Sequence, residues 1–171
     1  MGPNEKDRFS KSEESFRKID IGVEERAELL DKTQWARDFD WRQITSTVQF
    51  LKVMKAPKGA ILFMEGVVES FMFIILEGTV RIEKEDEKGN KKTVAILGPG
   101  QMLGEMSLFN EEPRSATAVA VKEITVLFFR KEDFDRMSKE KPFLSIQVLT
   151  EIIKLMGERL RRTSGVLADY L

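Results

Sequence analysis

The sequence predicts a mainly β domain, a sandwich or barrel, with helices before and after it. Between residues 50 and 129, strand-length apolar runs alternate with turns that contain glycine or proline. On both sides of this segment, apolar residues recur at helical spacing instead. Hydrophobic residues make up 42% of the 171 residues, which is enough for one domain with appendages.

The first 48 residues divide into a polar leader and a helical segment. Residues 1–20 are mostly charged or small, and Ser10-x-x-Glu13 fits a capping box, but no full apolar face follows. We expect this leader to be loose or disordered, or to pack late, with a docking tail as the alternative. Residues 21–48 predict two helices, one over Val23–Lys32 and one that starts at Asp40-x-x-Gln43. Three aromatic residues at helical spacing are interpreted as packing anchors, namely Trp35, Phe39 and Trp41.

Residues 49–130 carry the β-strand pattern. Seven runs of strand length are separated by turn signals such as Pro57-Lys58-Gly59 and Glu77-Gly78. Short strands at this spacing indicate a sandwich or barrel. The predicted strands are Phe50–Ala56, Ala60–Met64, Phe71–Leu76, Thr79–Glu83, Thr93–Leu97, Ala116–Val121 and Ile124–Phe129.

Residues 131–171 predict two helices, a short one over Lys131–Lys139 and a long one from about Pro142 to Leu171. Two apolar stripes run along the long helix, and a helix with two such stripes packs on its own domain and on a partner. We therefore expect a homodimer through this helix, with a seam buried within one chain as the alternative. The seam consists of Leu149, Ile153, Met156, Leu160, Thr163, Leu167 and Tyr170. The second stripe is expected to cover the barrel mouth and consists of Leu144, Val148, Ile152 and Leu155.

Composition excludes several functional classes. The chain has no cysteine and no histidine, so disulfides, cysteine nucleophiles, histidine bases and Cys/His metal sites are excluded. The net charge of −1 provides no basic field for nucleic acid. No apolar run reaches the ~20 residues of a membrane span, and the N-terminal residues lack the apolar core expected of a signal peptide. We expect a cytoplasmic protein that binds neither nucleic acid nor membrane, is not an enzyme and needs no cofactor or metal.

The stretch from Gly98 to Ala120 contains the candidate binding residues. Gly104 permits close backbone approach, and the following short helix, Met106–Phe109, leaves N–H groups available for an anion. Arg114 can present a planar cation to the same phosphate, and the Glu105 carboxylate can accept hydrogen bonds from sugar hydroxyls. Together these residues predict a nucleotide that has a single phosphate and a free hydroxyl.

The string GEMSLFNEEPRSATA resembles the phosphate-binding cassette of cyclic-nucleotide-binding domains. This family includes the regulatory subunits of cyclic-AMP-dependent protein kinase and the sensor domain of bacterial catabolite activators. The resemblance extends from about Trp41 to the end of the chain. It implies an eight-stranded jelly-roll barrel of the double-stranded β-helix type over residues 49–130, with the cassette at 103–116.

The resemblance also implies roles for individual residues. Arg114 and the N–H groups around Ser107 would hold the exocyclic phosphate, and Glu105 with Gly104 would take the ribose 2′-hydroxyl. For Arg114 the alternative is a surface ion pair with Glu111 or Glu112. The remaining candidates are Met106 and Ala116 in the cassette, Ser115 for the phosphate or base, Ile82, Val94 and Leu103 as an apolar wall or plain core, and Thr163 with Ser164 as a base lid.

These residues predict a regulatory sensor for a cyclic mononucleotide. Cyclic AMP is expected over cyclic GMP, because members selective for guanine often have threonine where this chain has Ser115. Ligand would order the cassette, shift Leu108 and Phe109 and so move the long helix. No helix-turn-helix follows that helix, so a separate effector is expected, unless the chain is a fragment. The alternative is an interaction scaffold of the same fold that binds no nucleotide. Arg159, Arg161 and Arg162 are interpreted as a solvated helix face.

Overall fold

The structure, a computed structural model, describes residues 16–110 and 112–168, the last three of these by their backbone alone. The predicted capping box at Ser10 lies outside these residues. The described strands are β1 (Arg17–Ile19), β2 (Lys52–Ala56), β3 (Ile61–Phe63), β4 (Phe71–Glu77), β5 (Val80–Glu85), β6 (Lys91–Leu97), β7 (Met102–Leu103), β8 (Thr117–Ala120) and β9 (Ile124–Arg130). The described α-helices are α1 (Val23–Asp31), α2 (Trp41–Thr47), α3 (Lys131–Glu140) and α4 (Pro142–Ala168).

Two antiparallel sheets form a jelly roll, as predicted. One sheet has the order β1-β2-β9-β4-β7 and the other the order β3-β8-β5-β6. The sheets do not close into a barrel. All seven predicted runs contain a strand, and β1 and β7 are additional. The leader prediction was therefore wrong at its end, because Arg17–Ile19 pairs with β2.

Alternate residues of β4 pack into two different hydrophobic cores. Phe73 and Ile75 pack between the two sheets, whereas Met72 and Ile74 pack against the helices on the outer face of the larger sheet. Successive side chains of a strand point to opposite faces, so a strand covered on both sides is apolar throughout. This explains why β4 is a continuous apolar run and not an alternating one.

The N-terminal helices pack on the outer face of the five-stranded sheet. The predicted capping box starts α2, since the Gln43 N–H donates to the Asp40 carboxylate at 2.8 Å and the Asp40 N–H donates to the Gln43 side chain at 2.7 Å. Trp35 and Phe39 are buried and meet edge to face at 5.3 Å, as expected of packing anchors. The same prediction was wrong for Trp41, which is 51% exposed because it lies in the first turn, at the edge of the core.

The C-terminal helices follow the predicted order. Leu144, Val148 and Ile152 of α4 are buried in the core between the helices and the larger sheet, so this stripe does not cover a barrel mouth. The predicted seam is not exposed along its whole length, because Leu149 and Met156 also pack against that core. The seam residues that remain exposed are Ile153, at 66%, Leu160, at 68%, and Thr163. The side chains of Leu167 and Tyr170 lie outside the described residues. None of the described helices is both long and apolar enough to cross a membrane.

Candidate functional site

A cavity of about 230 Å³ lies between the cassette and the four-stranded sheet. Most of the predicted site residues line it: Ile82, Leu103, Gly104, Glu105, Met106, Ser107, Arg114, Ser115 and Ala116. Four further residues that the sequence analysis did not assign to the site also line it: Phe63, Ala95, Leu97 and Arg159. The cavity therefore combines an apolar wall, contributed by strands of the smaller sheet, with a polar cassette.

Arg114 is the buried cation of this cavity, with its side chain 1% exposed. Its guanidinium donates to the carbonyl of Gly104 at 3.0 Å and to the carbonyl of Phe71 at 2.8 Å. The rings of Phe63 and Phe71 lie on it, with centroids 4.3 and 4.4 Å from Cζ. The Glu69 carboxylate is 3.7 Å from Nε. These contacts fix the guanidinium plane before any ligand arrives.

The charge of Arg114 persists at neutral pH despite this burial. Burial lowers the pKa of Arg114 to about 10, and the nearby carboxylates of Glu69 and Glu105 oppose that shift. A guanidinium has five N–H donors, of which the two carbonyls occupy two. A buried cation with donors to spare is suited to an anion that enters the cavity.

The predicted alternative for Arg114, a surface ion pair, is wrong for Glu112. Glu112 is exposed, Arg114 is buried, and the carboxylate nearest the guanidinium is that of Glu69. Residue 111 lies outside the described residues.

Gly104 has the left-handed conformation that the close approach of Arg114 requires. Its φ is +79°, and a Cβ added there would lie 2.6 Å from Nη1 of Arg114 and 3.1 Å from the Phe71 carbonyl. Glycine is the residue that adopts this conformation without strain. Any larger residue would displace the guanidinium from its two carbonyl partners.

The cassette forms a short 3-10 turn, Met106–Leu108, at the edge of the cavity. Within the described part of the chain, the N–H groups of Ser107 and Ala116 donate to no protein acceptor. Leu108 is buried in the helical core, and the ring of Phe109 meets that of Phe134 edge to face at 5.1 Å. The cassette thus offers N–H donors on one side and contacts α3 on the other.

Glu105 connects the cavity to α4. Its carboxylate is buried and accepts from Arg159 at 2.6 Å, and Arg159 also donates to the Met102 carbonyl at 2.7 Å. Arg159 lies on the exposed face that was predicted, with its side chain 45% exposed, but the prediction missed its contact with the buried Glu105. The sequence did contain a signal for a role of Arg159 in the site. Arg159 begins the Arg-Leu-x-x-Thr-Ser string that ends in the two candidate lid residues.

Three predicted residues are not brought to the cavity. Val94 is 58% exposed, because the β5–β6 register passes from Ile82–Ala95 to Glu83–Thr93 and leaves Val94 as the extra residue of a bulge. Ala95 lines the cavity in its place. Thr163 and Ser164 are exposed on α4 beyond Arg159, and the Thr163 hydroxyl donates back to the Arg159 carbonyl at 3.0 Å.

Comparisons with known proteins agree with this fold. A family model described as the cyclic nucleotide-binding domain matches residues 53–141. The chain is 29% identical over 128 residues to a CRP-like cAMP-activated global transcriptional regulator of Mycobacterium tuberculosis, covering 75% of this chain and 55% of that protein. It is 34% identical over 105 residues to the cyclic AMP receptor protein of Thermus thermophilus, covering 61% and 47%. The chain thus spans about half the length of the curated relatives it matches.

Solved structures extend the likeness over most of the chain. A cyclic nucleotide-binding domain from Methylobacillus flagellatus superposes with a TM-score of 0.81 at 23% identity, covering 92% of this chain and 90% of that one. At this identity the match supports the fold alone. The Thermus thermophilus catabolite activator protein superposes with a TM-score of 0.69 at 28% identity, covering 78% and 61%. The match of the family model over half of the sequence decides the assignment: this chain belongs to the cyclic nucleotide-binding domain family.

Proposed function

We propose that this chain is a sensor that binds a cyclic mononucleotide, with cyclic AMP preferred over cyclic GMP, in the cavity beside Arg114. The observation that carries the proposal is the buried Arg114 guanidinium, which is fixed by two carbonyls and keeps donors available. A cyclic nucleotide has one phosphodiester and therefore one negative charge. The Arg114 guanidinium, which faces Glu69 through Nε, supports the binding of this phosphodiester by offering it charge-assisted hydrogen bonds inside the cavity.

The neighbouring groups fit the rest of the phosphate and the ribose. The N–H groups of Ser107 and Ala116 line the same cavity and have no protein acceptor within the described residues. Glu105 accepts from Arg159 through one carboxylate oxygen. A carboxylate has about four lone-pair sites, so a ribose hydroxyl can donate to Glu105 while Arg159 remains bound.

The base preference rests on two weaker supports. The relatives described above are named for cyclic AMP activation or cyclic AMP reception. Ser115 lines the cavity next to Arg114 and lacks the methyl group of the threonine expected in guanine-selective members. The apolar wall of Ile82, Ala95 and Leu97 offers a surface for a purine of either kind.

The effect of ligand binding would be transmitted through α4 to an effector. That effector would be a separate protein or a part of a longer chain. Arg159 joins α4 to Glu105, and Phe109 joins the cassette to Phe134 of α3. A ligand that binds Glu105 and orders the cassette changes both contacts. It shifts the position of α4 only by the difference in its affinity for the two helix positions. The exposed seam residues Ile153 and Leu160 support a homodimer through the same helix.

Titration calorimetry of refolded, ligand-free protein with cyclic AMP and cyclic GMP tests the proposal. Refolding removes nucleotide that copurifies with the protein. We expect micromolar or tighter binding of cyclic AMP and weaker binding of cyclic GMP. Absence of heat with both nucleotides, from protein shown to be folded by circular dichroism, would instead favour a scaffold that binds no nucleotide.

A further inference from the structure

A second cavity, of about 280 Å³, lies on the inner face of the five-stranded sheet, outside the nucleotide cavity. Its wall is largely aromatic and apolar. The apolar residues that line it are Phe16, Met54, Leu62, Phe71, Phe73 and Phe128. The proposed nucleotide function uses none of these side chains for ligand contact.

Three cations line the same cavity, and they occupy inward-facing positions of the sheet. In the register, Lys52 lies opposite Phe128 and Lys18 lies opposite Met54. Residues directly opposite each other on neighbouring strands point to the same face. Lys18 and Lys52 therefore point to the side of Phe128 and Met54, where a sandwich normally has apolar residues. Arg130, two residues after Phe128 on β9, is the third cation.

The charges of these cations are poorly compensated by the described residues. Lys18 and Lys52 form no ion pair with any described residue, and Arg130 reaches Glu132 and Asp133 only at 3.9 and 3.7 Å. Glu69 is the single carboxylate among the described residues that line the cavity, and it already faces Arg114. Among the described residues that line it, the cavity therefore has more cationic than anionic side chains beside an apolar wall.

We propose that this cavity binds a small amphipathic carboxylate, with its alkyl or aromatic body against the phenylalanines and its carboxylate at Lys18 and Lys52. Apolar pockets with a few convergent polar groups are the usual form of small-molecule sites, and a volume of about 280 Å³, just below their usual range, suits a small ligand. A neutral hydrophobe would leave the lysines without a counter-charge. A polyphosphate would leave the apolar wall unused.

Calorimetric titration of the full chain with octanoate, octanol and acetate separates the contribution of the apolar wall to binding from that of the lysines. Octanoate should bind at least tenfold more tightly than octanol, and acetate should give no binding. The double variant Lys18→Met/Lys52→Met should lose at least tenfold in octanoate affinity and keep its octanol affinity. Lys84→Met is the matched control, because Lys84 is an exposed lysine on β5 of the other sheet.

Filling the cavity gives a second, independent test. Met54→Trp should abolish octanoate binding, and an unchanged circular dichroism spectrum of the same sample shows that the variant is folded. The proposal is overturned if folded wild-type protein binds no octanoate, if octanol binds equally well, or if the lysine variant binds octanoate unchanged. Binding to phosphatidylglycerol vesicles without octanoate binding would also overturn it, in favour of a membrane surface.

Discussion

The guanidinium of Arg159 lies 2.6 Å from the Glu105 carboxylate, across 54 residues of sequence. Glu105 is buried in the cassette, whereas the side chain of Arg159 is 45% exposed on α4. The long helix therefore touches the candidate nucleotide cavity through one ion pair.

Arg159→Gln should weaken the response of α4 to nucleotide. The substitution removes the charged contact that a ligand on Glu105 would perturb, so the helix loses part of its differential interaction with the ligand. Hydrogen exchange of α4 amides, measured with and without cyclic AMP, should change less than in the wild type. Arg161→Gln, at an exposed position on the same helix, should respond like the wild type. An unchanged response in Arg159→Gln would exclude this transmission route.

Arg114→Ala should reduce cyclic AMP affinity at least tenfold, and the expected loss is several kcal/mol. The substitution removes the cation from a partly desolvated phosphate. It should also lower the free energy of unfolding, because the carbonyls of Gly104 and Phe71 lose a hydrogen-bond donor and Glu69 loses a cationic neighbour. Calorimetry and urea denaturation measure the two effects, with Arg42→Ala on the exposed side of α2 as the control. A loss of affinity below tenfold would contradict the phosphate role.

Gly104→Ala should abolish nucleotide binding, whereas Gly66→Ala should not. Both glycines have φ near +80°, so both alanines carry a backbone strain of about 1–2 kcal/mol. Only at Gly104 does the new Cβ meet Arg114, at 2.6 Å, while at Gly66 it meets nothing within 4 Å. Thermal unfolding measures the shared strain, and titration isolates the effect on the site. Equal nucleotide affinities in the two variants would show that the contact with Arg114 is unimportant.

Cyclic AMP affinity should be constant from about pH 6 to about pH 8. The chain has no histidine, the side chain that ordinarily titrates in this range. The pKa of Arg114, lowered by burial to about 10, lies above it, so the guanidinium stays charged throughout. Titrations in buffers of different ionisation enthalpy should also show no proton uptake. A tenfold change in affinity across this range would indicate a titrating group that the site as described lacks.

Ile153→Glu combined with Leu160→Glu should convert a dimer into a monomer. Both side chains are about two-thirds exposed on α4, and charges at these positions would have to be desolvated in a helix–helix seam. Light scattering should give a mass of two 19.7 kDa chains for the wild type and of one for the double variant. Ile96→Glu, an equally exposed position on β6, should leave the mass unchanged. A wild-type mass of one chain would disprove the dimer.

The sequence alone predicted the elements whose pattern is local. The change from helical to strand spacing after residue 50 marked the β domain, and the Asp40-x-x-Gln43 pattern marked the start of α2. The jelly roll was implied by the resemblance to the family and not by this spacing. Strand β1 was missed because Arg17–Ile19 has no apolar pattern and is a strand only through its pairing with β2. Trp41 was misplaced because helical spacing gives the direction of a side chain but not where the core ends.

The site shows the same division between local and distant information. Gly104, Glu105 and Arg114 lie within one short stretch, so their spacing was sufficient to group them. Arg114 is fixed by Phe71 and Glu69, which belong to a different part of the chain. No local sequence pattern connects these two residues with Arg114.

A register shift of a single residue explains why Val94, and not Ala95, was predicted to line the cavity. A bulge between β5 and β6 reverses the side-chain alternation that the prediction assumed. Such a bulge depends on how two strands pair, so it cannot be predicted from the sequence of either strand alone.

Phe71 belongs to two compartments at once. Its carbonyl and ring hold Arg114 beside the nucleotide cavity, while its side chain also lines the second cavity. An occupant of the second cavity that displaced this ring would move an acceptor and a stacking surface of the phosphate-binding cation. Two chemically unlike signals would then converge on one side chain, and each would alter the affinity for the other by the same factor. If both cavities bind their proposed ligands, such a domain would respond to the two ligands jointly and not to cyclic nucleotide alone.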